Sequence, residues 1–279
     1  MNCLVDSVSS KAPATDELRV LYRDEALIAI DKPSGLLMHR SFLDKHETEF
    51  AVQKLRDQIG QHVFPLHRLD RPTSGVLLFA LSSDIARLMT AQLTAKHWQK
   101  YYLTLCRGFF REAGVLDYPL KEELDAIADK KADQDKDKQQ AQTAFWPLAK
   151  VELPIAVGKY PVARYSLLLA QPLTGRKHQI RRHLAHLRHP VVGCVNHGEG
   201  RHNRLFREHF DCHRLVLHAA RLELTHPLTG LPLQIDAPLT DLASLFSRLG
   251  FESDWHWYQQ QMLNSQSELA QLPALGEHE

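Results

Sequence analysis

The sequence predicts an α+β domain built on one central, mixed or largely antiparallel sheet flanked by helices and loops. Short runs of alternating or wholly apolar residues recur along most of the chain, separated by Gly, Pro, Asp and Ser clusters, which is the pattern of strands joined by turns. Apolar residues at helical spacing appear in a few segments among them, which supplies the flanking helices. The 279 residues are 44% hydrophobic and 24% charged, enough apolar material for a sizeable core.

Residues 1–16 are small and polar, without a period, and are expected to form a loose N-terminal tail. The domain is expected over residues 17–250. Leu18 to Tyr22 and Ala26 to Ile30 read as a strand pair around an Arg-Asp-Glu turn, and Asp31-Lys32-Pro33-Ser34-Gly35 breaks the second strand into a loop. Val76 to Ala80 is a strand-like apolar run. Ser82-Ser83-Asp84 then supplies a helix N-cap, and Ile85, Leu88, Met89 and Leu93 follow at helical spacing.

Lys100 to Arg107 alternates as a strand does, and Gly108 ends it. Residues 121–140 are dense in Asp, Glu and Lys with almost no large apolar side chains, and are expected to be an exposed insertion. Strands resume at Ala141 to Val151 and Val162 to Ala170. Leu173-Thr174-Gly175 turns into a helix from His178 to His189, with Ile180, Leu184 and Leu187 on its apolar face and Pro190 as its stop. Leu215 to Leu224 and Leu231 to Ile235 form a closing hairpin, Leu242 to Leu249 a short helix, and residues 251–279 a C-terminal tail.

The net charge is +1, but its distribution is uneven. Between Gln171 and Arg221 ten basic residues face three acids, and nine of the 17 histidines lie in the same stretch. Such a segment suits a polyanion such as nucleic acid. No window reaches the roughly 18 apolar residues of a membrane span, and the N-terminus lacks a basic region followed by an apolar stretch, so a cytoplasmic protein without membrane attachment is expected. Cys3, Cys106, Cys194 and Cys212 form no CxxC pair. His183, His186 and His189 recur at three-residue spacing near Cys194, but no carboxylate joins them and no metal is expected.

The most informative segment is His67-Arg68-Leu69-Asp70-Arg71-Pro72-Thr73-Ser74-Gly75. It sets one carboxylate between two arginines on a turn, directly ahead of the apolar run. Nearby positive charge keeps a carboxylate ionised, so Asp70 is a candidate nucleophile or base on a loop that displays chemistry. Alone, the same pattern also describes a solvated turn with a local Asp–Arg pair.

Three further segments join it: Lys100-Tyr101-Tyr102, Leu173-Thr174-Gly175-Arg176-Lys177-His178-Gln179-Ile180-Arg181-Arg182-His183, and Leu217-His218-Ala219-Ala220-Arg221-Leu222 with the later HPLTG turn. In this order and spacing the chain resembles the RluA-type pseudouridine synthases from about Leu18 to about Pro238. Within that family it is most similar to the synthases acting at uridine 65 of tRNA, through KPSGLLMHRS, RDQIGQHVFPLHRLDRPTSGVLL, RKHQIRRHLAHLRHP and DYPLKEELDAIADK. Many members carry an RNA-binding domain of the S4 type ahead of the catalytic one, and with so short a stretch before Leu18 none is expected here.

The resemblance implies a pseudouridine synthase fold with an RNA-binding cleft, and an isomerase that detaches one uracil from its ribose at N1 and rejoins it through C5. Asp70 matches the catalytic aspartate, and Arg181 the arginine that pairs with it, whose fork could hold a carboxylate through two parallel hydrogen bonds. A phosphate contact is the competing role for Arg181. Tyr102 matches the tyrosine that stacks on the base and takes the C5 proton late in the reaction; Tyr101 points to the other strand face. Arg68 matches an arginine that enters the RNA helix where the uridine leaves. His67, Arg71, Arg176, Lys177, His178 and Gln179 are the other expected RNA contacts, and Leu217, Ala219 and Leu222 the expected walls of the base pocket.

A tRNA stem is the implied partner, a monomer is expected, and no cofactor is needed because the base is both leaving group and returning nucleophile. The rivals are the same chemistry on ribosomal RNA, and a non-catalytic RNA-binding or chaperone protein that keeps the cleft.

Overall fold

A computed structural model describes residues 17–39, 48–122, 137–252 and 254–276. The expected N-terminal tail lies outside these residues, as does most of the charged insertion; at its edges Leu120 and Gln139 bridge to one another.

The strands are β1 (Val20–Arg23), β2 (Leu27–Lys32), β3 (Phe64–Pro65), β4 (Ser74–Ala80), β5 (Gln99–Arg107), β6 (Gly114–Asp117), β7 (Gln142–Leu153), β8 (Ala163–Pro172), β9 (Leu217–Thr225) and β10 (Pro232–Asp236). The helices are α1 (Ala51–Ile59), α2 (Ser83–Thr94), α3 (Gln179–His186), α4 (Gly200–Phe210), α5 (Ala243–Arg248) and α6 (Trp255–Glu268). All ten strands join one sheet in the order β1-β2-β4-β9-β5-β8-β7-β6, with β10 added to β9 and β3 to β4. Every pairing is antiparallel except β4 with β9. The mixed, mostly antiparallel sheet with flanking helices is the α+β architecture read from the sequence.

That parallel pairing spans only Ser74↔His218 and Gly75↔Ala219, and it joins the two halves of the sheet beside the Asp70 loop. Gly75 has φ 107°, and a Cβ on it would lie 2.2 Å from the Ala219 carbonyl oxygen. Only glycine permits this approach, which gives the Thr-Ser-Gly segment a backbone reason to exist.

Packing explains why each helix forms. β4 is buried along its whole length, and its alternate residues serve two clusters: Val76, Leu78 and Ala80 pack with Ile85 and Met89 of α2, while Leu77 and Phe79 pack with Ala51 and Leu55 of α1. Ser82 caps α2, its Oγ accepting from the Ile85 amide at 3.3 Å. α3 sets Ile180 and Leu184 on Leu168 and Ala170 of β8.

Residues after 250 are not the tail the sequence suggested. α6 is capped by Asp254 and buries Tyr258 and Met262 in the cluster that holds Tyr101, Tyr165 and Phe206. Beyond it Ala274 bridges to Val115, and Leu275 packs beside Leu116. Burial of a side chain of this size contributes roughly 1.5–3 kcal/mol, so the segment is part of the domain.

Candidate active site

A cavity of about 580 Å³ opens where the Asp70 loop, the start of β5 and the loop before α3 meet. It is large enough for a nucleotide. His67, Arg68, Asp70, Tyr102, Arg176, Lys177, His178, Gln179, Arg181 and Leu217 all line it, although more than a hundred residues separate the first from the last.

Asp70 and Arg181 meet directly. Arg181 Nη1 donates to Asp70 Oδ2 at 2.9 Å, with the arginine side chain 5% exposed and the aspartate 24%. Arg181 does not use both arms of its fork on the carboxylate: its Nε donates instead to Cys194 Sγ at 3.3 Å. Two anchors on separate groups fix the guanidinium plane and leave one carboxylate oxygen of Asp70 free of it. Burial opposes the charge of Arg181, but the bonds and charges of Cys194 and Asp70 outweigh it and raise the pKa. This anchor on Cys194 is one that sequence reading missed, since a lone cysteine 13 positions from its partner leaves no local pattern.

The Asp70 loop is held by buried hydrogen bonds from two sides. Lys32 is fully buried and its Nζ donates to the carbonyls of Pro33, Leu36 and Arg71. Ser34 donates to the Pro72 carbonyl, and Gly35 and Arg71 exchange a backbone and a side-chain bond. Arg71 thus rests its Nε on the Gly35 carbonyl, and it is not among the residues that line the cavity.

Below the loop, Arg214 Nη2 donates to Ser74 Oγ at 2.7 Å, and Ser74 in turn meets His218 Nδ1 at 2.7 Å. His218 Nε2 contacts the Ala237 carbonyl at 2.9 Å. A carbonyl only accepts, so Nε2 carries the proton and Nδ1 accepts from Ser74. Burial keeps His218 neutral, lowering its pKa to about 4.

Tyr102 comes from β5, with Tyr101 on the opposite face in the core beside Leu103. Burial and then the charge of Asp70 raise the Tyr102 pKa above that of ordinary tyrosine. The phenol stays protonated at neutral pH, a state suited to stacking and hydrogen-bond donation and opposed to taking a proton.

The loop before α3 supplies the cationic side. Gln179 is buried and uses its amide as a latch: Oε1 accepts from Thr174 Oγ1 and the Arg176 amide, and Nε2 donates to the Gln142 carbonyl and Thr143 Oγ1. With both amide ends bonded inward, it shapes the loop. Arg176 is exposed and rests Nε on the Gln140 carbonyl. His178 ends the loop in the left-handed region at φ 55°, outside the helix expected to include it; its Nε2 is 3.8 Å from Asp70 Oδ2 and its Nδ1 3.1 Å from His197 Nε2.

His67 is a support: its Nε2 accepts from the Leu78 amide, and its ring meets Trp98 edge to face. Arg68 is exposed at the cavity and has no hydrogen bond or ion pair among the described residues, so it is not the partner of Asp70. Leu217 lines the cavity, but Leu222 does not: it is 2% exposed and packs with Ile85, Met89 and Leu224. Ala219 lies opposite Tyr102 in the sheet register. His183 faces the Tyr118 carbonyl, His186 stacks on Tyr118 and His189 faces the Arg107 carbonyl. Among the described residues no group of three or more His, Cys, Asp or Glu is placed to hold a metal ion.

The family model for RNA pseudouridylate synthases matches residues 26–186, which include Asp70, Tyr102 and Arg181. The chain belongs to the RNA pseudouridylate synthase family. It is an isomerase of that family. The chain is 58% identical over 248 residues to the tRNA pseudouridine synthase C of Vibrio cholerae, a match covering 89% of this chain and 100% of that one. It is 52% identical over 237 residues to the protein of the same name from Yersinia pestis, covering 84% and 92%. Human RNA pseudouridylate synthase domain containing 1 shares the fold of this pseudouridylate synthase, with a TM-score of 0.61 at 23% identity over 88% of this chain and 99% of that one. No helix among the described residues is long and apolar enough to cross a membrane.

Proposed function

We infer that this protein converts one uridine of tRNA, at position 65 in the T stem, to pseudouridine, and that it works in the cytoplasm with Asp70 as the catalytic carboxylate. The observation that carries the reading is the 2.9 Å contact between Asp70 and Arg181 in a cavity that also holds Tyr102. The names of the curated relatives support tRNA as the substrate class.

The uridine leaves its helix and enters the cavity, at an unstacking cost of a few kcal/mol. Arg68, exposed and without a partner among the described residues, is suited to fill the space it vacates. Tyr102 receives the uracil face, with Leu217 as an apolar wall. The ionised Asp70 drives cleavage of the N1–C1′ bond while Arg181 holds its position. The free base turns, C5 bonds to C1′, the C5 proton leaves and N1 gains one, so the reaction balances without redox change. The protonated Tyr102 stabilises the turning base by contact, and solvent water takes the C5 proton and returns one to N1.

Pseudouridine mapping across all RNAs, in cells with and without this protein, tests the substrate. The expected result is loss of pseudouridine at tRNA position 65 alone. Unchanged tRNA together with loss of a ribosomal position would assign the enzyme to ribosomal RNA instead.

A further inference from the structure

The chemistry above uses the Asp70 end of the cavity and leaves unexplained the end lined by Leu93, Thr94, Lys96, Trp98 and Lys100. Lys100 stands two residues before Tyr102 on β5, so both side chains leave the same face, and both line the cavity. Its Nζ lies 5.6 Å from the centre of the Trp98 ring. Among the described residues it has neither a carboxylate partner nor a hydrogen-bond acceptor, whereas the buried Lys32 has three carbonyls.

Two of the side chains beside Lys100 present donors. Trp98 Nε1 is a donor, buried and without a partner. His67 accepts from Leu78 through Nε2, which places its proton on Nδ1 and makes that side of the ring a donor as well. A partly buried ammonium among donors is costly in the folded protein, and an anion from outside would offset that cost more fully than water or the Trp98 ring does. Burial lowers the Lys100 pKa to about 8, and a bound anion would restore its charge. The exposed Lys96, near the same end, adds a second cation.

We propose that Lys100, with Trp98 and Lys96 around it, forms a subsite for a backbone phosphate of the RNA, the phosphodiester next to the everted uridine. This rests on the RNA-isomerase reading above. A phosphate rather than the uracil is the ligand, because uracil offers neutral carbonyls and a charged acceptor binds a partly desolvated ammonium more strongly. The subsite makes Lys100 a positioning residue: it fixes the backbone so that C1′ of the target meets Asp70.

The test measures tRNA affinity of the full chain across a salt series for the wild type, Lys100→Met and Lys100→Arg. It adds tRNAs that carry one neutral methylphosphonate on either side of the target uridine. Lys100→Met should weaken binding about tenfold and make the slope of log affinity against log salt shallower by about 0.7–1, while Lys100→Arg keeps the slope. One of the two methylphosphonates should weaken binding by the wild type and leave Lys100→Met unaffected. Since the substitution removes an unpaired cation, Lys100→Met should melt no lower than the wild type; should it fail to fold, Lys100→Arg and the modified tRNAs on the wild type still decide. An unchanged slope, or equal losses for both proteins on both modified tRNAs, would overturn the subsite. Pseudouridine formation by the wild type on the same tRNA separates the two ideas: turnover with an unchanged slope sinks the subsite alone, and absence of turnover sinks the functional reading.

Discussion

The loop that carries Asp70 and the loop that carries Arg176 to His178 face the same cavity, and they are held in different ways. The first is fixed by buried contacts on both sides, from Lys32 and Ser34 above and from the Arg214–Ser74–His218–Ala237 chain below. The second has one buried latch, Gln179, and leaves Arg176 exposed. A carboxylate with the role proposed for Asp70 needs a position accurate to a fraction of an ångström, which support built into the core supplies. Cations that meet a polyanion need only be near it, and exposure lets them follow the phosphates. Arg181 links the two, the one cation of the second wall whose side chain is nearly as buried as the first wall's supports.

The largest effect should come from breaking that link. Arg181→Lys keeps the charge but cannot reach Asp70 and Cys194 at once with a planar fork, so kcat should fall by about 100-fold or more. Affinity for tRNA should change little. A loss confined to affinity would place Arg181 with the phosphate-binding cations and erase the distinction between the walls.

A middle-sized effect should follow from the support below Asp70. His218 titrates near pH 4 in the folded chain against an ordinary value of 6.5, so between those values the unfolded chain holds a proton that the folded chain excludes. Its contribution is therefore complete above pH 6.5 and is lost as the pH falls toward 4. His183, also lowered to about 4 by burial, acts in the same direction. His218→Leu should cost about 1–3 kcal/mol at pH 7, by leaving the Ser74 hydroxyl and Ala237 carbonyl unpaired, and should flatten part of the acid dependence. Urea unfolding at pH 7 and pH 5 measures both; an acid dependence equal to that of the wild type would remove His218 from the account.

The smallest effect belongs to the exposed wall. Arg176→Gln should weaken tRNA binding by a few-fold, make the salt slope shallower by about 0.7–0.9 and leave kcat unchanged. A fall in kcat as large as that of Arg181→Lys would show that this wall is also built for position.

The two walls differ in how far the sequence reveals them. Asp70, Arg68 and the cationic loop stand out because charge beside turn residues has few structural uses. The supports do not: Cys194 and His218 matter through partners 13 and 144 positions away, and nothing local marks such pairs. The resemblance suggested Leu222 as a pocket wall, but it stands five residues from Leu217 on β9, so strand alternation turns it to the other face, where it packs with α2 in the core. Among the elements, α2, β5, β8 and β9 were legible from apolar period and capping. The helix α4 was hidden in a basic stretch with only Leu205 and Phe206 buried among its apolar residues. The α6 segment read as a tail because its many Gln, Ser and Asn residues masked Tyr258, Met262 and Ser265, which are buried at spacings of four and three.

The central claim is that Asp70 performs the chemistry while the surrounding cavity binds the RNA. Single-turnover pseudouridine formation by Asp70→Asn, measured beside its tRNA affinity, tests it most directly. The account predicts no detectable product and an affinity within a few-fold of the wild type; product formation at a rate near that of the wild type would contradict it.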